Sequence, residues 1–160
     1  MKLVAFGLAL CLLLTPAVRS FAQPAVVVDR VAVRFEAAEL GGPSHPHFVF
    51  QRELAFEARI EVLAEIQRGI PASDRAFDER HLRAALDRHM TEAILASLLR
   101  DEDVSQADIR RRAISAVLVL EQRVGGREKL LSAAISEGLE SEDLSRLIER
   151  QARASLYLDR

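Results

Sequence analysis

The chain has 160 residues, with 22 Lys and Arg against 24 Asp and Glu, a formal net charge of −2, and a single cysteine. That balance lacks the basic excess phosphate recognition requires, so nucleic acid is excluded as the expected partner. One cysteine excludes an internal disulfide and leaves packing to hold the fold.

Met1-Lys2, the apolar run from Leu3 to Leu14, and Thr15 to Ala22 supply the basic, apolar and small-residue parts of a secretory signal peptide. Cleavage is expected after Ala22, with Ser20 and Ala22 at the two small-residue positions. The apolar run falls short of the ~20 residues a span needs, so no stable membrane span is expected after cleavage. Removal of residues 1–22 also removes Cys11, and residues 23–160 suit one domain of ordinary size.

The stretch from Pro24 to Phe35 reads as a strand, since Val27, Val31, Val33 and Phe35 alternate with Val28, Arg30, Ala32 and Arg34. Gly41 to Pro46 is a loop on composition, and His47 to Phe50 is a short partner strand. A lone hairpin is marginal in water, so it should lie against helices. Glu53 to Arg68 predicts the first helix, with Leu54, Ile60, Leu63, Ala64 and Ile66 on its apolar side and Gly69-Ile70-Pro71 ending it. A short linker, Ser73 to Ala76, follows.

Asp78 is placed to cap the strongest helical pattern in the chain, where Leu82, Ala85, Leu86, Met90, Ala93, Ile94, Ser97 and Leu98 form one stripe. The remaining helices cannot bury their apolar faces alone and should pack on this keystone. Asp101-Glu102-Asp103 reads as a solvated turn. Ser105 and Asp108 form a loose capping box for a helix burying Ile109, Ala113, Ala116, Val117 and Leu120, stopped by Gly125-Gly126. Arg127 to Glu137 is a short helix stopped by Gly138. Ser141-Glu142-Asp143 opens the last one, which carries Leu144, Leu147, Ile148, Leu156 and Leu158. The expected class is mainly α, a helical domain with a small N-terminal β-hairpin.

Chemistry is harder to find. His81 and His89 share a helix face at a spacing wider than a helical metal pair, with Glu92 beyond them, and His45 and His47 flank Pro46. All four are read as solvated or partly packed, and no metal or cofactor is assigned. There is no Gly-x-Ser-x-Gly, no phosphate-cradling glycine loop and no thiol beyond residue 22, so no catalytic residue is assigned either. Beyond residue 22 the aromatics crowd the first half, at Phe35, Phe48, Phe50, Phe56 and Phe77, with Tyr157 alone at the far end. They either fill the core between hairpin and helices or line an exposed apolar surface. In the second case Phe35, Phe48, Phe50 and Phe56 are the candidate binding residues.

The strand Val26 to Val33, the Gln51-Arg52-Glu53-Leu54 helix start and the keystone resemble the N-terminal chaperone domain of SurA-type periplasmic proteins. So do the succession Val104 to Ile109, Gly126 to Leu130, and Glu137 to Leu144, and the ending Tyr157-Leu158-Asp159-Arg160. The resemblance covers nearly all of residues 23–160. It implies a periplasmic, peptide-binding domain whose partners are unfolded polypeptides, outer-membrane proteins among them. Family members continue into a parvulin-type prolyl isomerase domain, for which the resemblance supplies no residue here, so isomerase activity would come only by association. Two other roles stay open at this point: a non-catalytic subunit of an isomerase, and an envelope adaptor docking on one folded partner. A homo-oligomer is also open.

Overall fold

The computed structural model describes residues 29–36, 46–71 and 77–160. The expected cleavage region, the first strand up to residue 28, most of the hairpin loop and the 73–76 linker lie outside those residues. Among the described residues the fold is mainly helical, with one small hairpin, as the sequence predicts. Its elements are β1 (Val31–Phe35), β2 (His47–Phe50), α1 (Gln51–Gln67), α2 (Glu79–Leu98), α3 (Gln106–Val124), α4 (Arg127–Ser136) and α5 (Ser141–Leu158), with a 3-10 turn at Asp101–Asp103 before α3.

The strands pair antiparallel, Phe35 with His47, Arg34 with Phe48 and Val33 with Val49. The next pair is Val31 with Phe50, which leaves Ala32 as the extra residue of a bulge on β1. Alternation then separates two faces. Val33, Phe35 and Val49 turn inward onto the helices, while Val31, Phe48 and Phe50 stay on the outer, exposed side.

α1 begins directly off β2, two residues before the predicted Glu53. No side chain caps it; instead the Gln51 amide donates to the Arg30 carbonyl at 2.8 Å, tying the helix start to the opposite strand. Its buried residues, Leu54, Phe56, Glu57, Ala58, Ile60, Val62 and Ala64, fall on every side of the helix. This follows from its position between two cores. Phe56 and Ile60 join Leu120, Val124, Leu130, Ala133, Ala134, Leu139 and Leu147 in an otherwise aliphatic cluster built from α3, α4 and α5. Leu54 and Ala58 join Phe35, Val49, Ala85 and Ala93, which dock the hairpin on α2.

The predicted helix ends hold where a side chain or glycine enforces them. The Asp78 carboxylate accepts from the His81 amide at 3.1 Å, and Ser105 accepts from the Asp108 amide at the same distance. Gly125 closes α3 in the left-handed region at φ 86°. α5 is capped by Glu140 and Asp143, one residue before the predicted Ser141. No helix among the described residues is long and apolar enough to cross a membrane.

Candidate functional site

A groove of about 760 Å3 runs between β2, the first turn of α1, the C-terminal half of α2 and the length of α5. Its floor on α2 is made of the small residues Ala93, Ala96 and Ser97, the first two buried. Phe48 and Phe50 form the aromatic wall and are 45% and 38% exposed. Val31, paired across the hairpin from Phe50, is 51% exposed and extends the same apolar surface over the outer face.

Four arginines line the groove, and each is already matched. Arg52 donates to Asp29 at 2.9 Å and to the Gly138 carbonyl at 2.8 Å, stapling the start of the hairpin and of α1 to the α4–α5 turn. Arg146, Arg150 and Arg153 recur at four and three residues along one face of α5. Arg146 pairs with Glu142 and Asp143; Arg153 donates to the Leu99 carbonyl and to Asp101, both at 2.8 Å. The acidic turn at Asp101–Asp103 is therefore exposed but not idle, since Asp103 also pairs with Arg160 at 2.9 Å. With Asp29, Glu53, Asp143 and Glu149 beside the four arginines, the lining is formally balanced. It offers no concentrated field for a polyanion.

Arg150 reaches behind the groove into a buried ionic group. It donates to Glu57 at 2.6 Å, and the same Glu57 oxygen stands 2.8 Å from His89 Nδ1. Arg88 and Glu92 lie at ion-pair distance from Glu57 and Arg150, at 3.8 and 3.6 Å, too far for hydrogen bonds. Glu61 joins Arg88 and Arg123, the latter at 2.7 Å. Burial pushes the Glu57 carboxyl up, but the His89 hydrogen bond and the charges of Arg150, His89 and Arg88 together hold it below its ordinary value. For Glu92, burial comes first and the nearby Glu57 charge adds to it, so its carboxyl is raised.

This corrects the expectation of solvated or partly packed histidines: His81 and His89 are buried, at 6% and 0% exposure. His81 completes the α2 capping box and stands 3.1 Å from Glu65. His89 Nε2 faces the Arg150 guanidinium at 3.3 Å, so the Glu57–His89–Arg150 group ties α1, α2 and α5 together. Half-buried His47 sits between the rings of Phe35 and His89, at 5.1 and 6.0 Å. Burial first, then the charges of His89 and Arg150, lower its pKa. Among the described residues no three His, Cys, Asp or Glu side chains are grouped to hold a metal.

Of the four candidate phenylalanines, the structure brings Phe48 and Phe50 together at the groove. Phe56 is fully buried in the aliphatic cluster and Phe35 is buried under the hairpin, so neither presents area to a ligand. The α5 arginines escaped the sequence reading. Their signal was the 146, 150, 153 spacing, which marks one helix face without saying what it faces.

Compared with protein-family models, with curated proteins and with solved structures, the chain matches none of them.

Proposed function

We propose that the chain is a chaperone-like binder of unfolded polypeptide, acting in the periplasm after removal of residues 1–22, as its resemblance to SurA-type N-terminal domains implies. The observation that carries this reading is the pair Phe48 and Phe50, large rings left accessible where the groove opens. A phenylalanine buries about 150 to 250 Å2, so two half-covered rings offer on the order of 150 Å2. At about 25 cal/mol per Å2 this is roughly 4 kcal/mol of apolar burial before the cost of association, so the two rings alone give only weak, reversible capture. The charged outer faces of the helices keep such a complex in solution.

The test is delayed aggregation of a chemically unfolded outer-membrane protein, followed by light scattering. The exported chain is expected to slow it, and Phe48→Ala with Phe50→Ala to lose half or more of the effect. No delay by the unaltered chain would sink the reading. No acceleration of a proline-limited refolding reaction is expected, and finding one sensitive to point changes in this chain would move the assignment to an isomerase.

One observation favours a second reading, an adaptor docking on a folded envelope partner: Ile114 and Leu118 stand a turn apart on the outer face of α3, 64% and 60% exposed. Capture of one folded partner, lost in Ile114→Ser with Leu118→Ser and unaffected by the phenylalanine changes, would select it.

A further inference from the structure

We infer that the groove takes its ligand as an added β-strand, an extended segment pairing with the edge of β2 that no strand among the described residues covers. This rests on the reading of the groove as a capture site and goes further, by naming the backbone as what is recognised. His47 belongs to the inner face of the hairpin and Phe48 and Phe50 to the outer face, yet all three line one cavity, while no residue of β1 does. Side chains from both faces of a strand meet a common space only along its edge. The groove therefore runs beside β2 on the side away from β1.

The phase of that edge follows from one hydrogen bond. The Gln51 amide points to β1, donating to Arg30. In an antiparallel pair, alternate residues address the partner strand, so Val49 and His47 share that direction. Phe48 then directs its amide and carbonyl off that edge, into the groove, and Phe50 its amide alone, since the Phe50 carbonyl at the N-cap of α1 is taken by the first turn of the helix. A row of unpaired backbone groups on an open edge is a template for another chain, and adding a strand satisfies it. The small floor of Ala93, Ala96 and Ser97 leaves room for the incoming side chains.

Charge selects among extended segments. The four groove arginines are paired, whereas Glu53 and Glu149 carry no ion pair among the described residues. A segment with a basic residue near each end complements the groove, and one with acidic ends does not.

The probe is a synthetic fluorescent peptide in which valine and phenylalanine alternate with threonine, with a lysine at each end, titrated into the full chain. Backbone N-methylation removes alternate amides in one of two phases. One phase is expected to weaken binding about tenfold or more, the size of effect set by losing a buried hydrogen bond, and the other to leave it nearly unchanged. Amide exchange at Phe48 and Phe50 is expected to slow when the parent peptide binds, with little change at Val49, and glutamate in place of the lysines to weaken binding severalfold. Equal binding of both methylated phases, with no new protection at Phe48 and Phe50, would overturn strand addition while leaving apolar capture standing. Absence of any peptide binding, together with no delay of aggregation, would overturn both.

Discussion

Arg150 shows how much of this fold rests on pairings between distant residues. A buried carboxylate such as Glu57 is tolerable only while cations and donors stay against it, so removing one partner leaves an uncompensated charge. Arg150→Met is expected to lower stability by about 3 to 5 kcal/mol in urea denaturation, and the double change Glu57→Met with Arg150→Met to restore most of that. A double variant no more stable than the single one would show that the two groups do not share one electrostatic account. His47 makes the same region sensitive to pH. Its folded pKa lies below the ordinary 6.5, so below that value the unfolded chain binds more protons than the folded one and stability falls as pH drops. The groups facing His47 are Phe35 on β1, His89 on α2 and Arg150 on α5, with Glu57 on α1 behind them. Glu57 has the same sign further down, since its stabilising contribution is lost as pH falls from its ordinary value through its lowered folded one. The raised Glu92 has the opposite sign and acts above its ordinary value, where the folded chain binds the extra proton. The urea midpoint is therefore expected to fall from pH 7.5 towards 5.5, and His47→Gln to flatten that slope; an unchanged slope would remove His47 from the account. Little of this was visible in the sequence. His89 does fall on the apolar stripe between Leu86 and Met90, which is a signal of burial, but its partner Glu57 lies 32 residues away and no periodicity reports it.

Elements with a chemical punctuation mark were legible, and elements set by packing were not. Asp78, Ser105, Gly69, Gly125 and Gly138 mark helix ends that the structure keeps, because each satisfies end groups or supplies a positive φ that other residues resist. The start of α1 carries no such mark, since Phe50 offers no capping side chain and the helix begins where the strand ends. Its apolar side was also under-read: a helix buried on all sides between two cores has no single stripe, so the 3.6 period is blurred. Gly125 provides the test at this scale. At φ 86° an alanine is strained, and its Cβ would lie 2.5 Å from the Gln67 Oε1 atom and 3.2 Å from Lys129 Nζ. Gly125→Ala is expected to cost about 1 to 2 kcal/mol, the left-handed penalty, with side-chain movement relieving the contact. A loss within a few tenths of a kcal/mol, measured by thermal or urea unfolding, would mean the α3–α4 turn can adopt another geometry.

At the scale of the whole molecule, the four early phenylalanines divide into two that are buried, Phe35 and Phe56, and two that stay exposed, Phe48 and Phe50. The sequence grouped Phe35, Phe48, Phe50 and Phe56 because they are close in the chain and chemically alike. What separates them is the strand period and the position of α1 between two cores, and the second of these only appears once α3, α4 and α5 have packed. Phe56 is the one large ring in a cluster otherwise built of Ile, Leu, Val and Ala, so nothing nearby can collapse to fill its place. Phe56→Ala is expected to cost about 3 to 5 kcal/mol, a large part of the roughly 5 to 15 kcal/mol that holds a domain together. Phe48→Ala and Phe50→Ala remove rings that already face solvent and should each change stability by less than about 1 kcal/mol while reducing protection of unfolded chains. The comparison turns on sign as well as size: stability and binding must fail in different variants. If Phe48→Ala or Phe50→Ala proved as destabilising as Phe56→Ala, the outer face of the hairpin would be a covered surface of the fold, and the groove would lose the apolar wall on which capture depends.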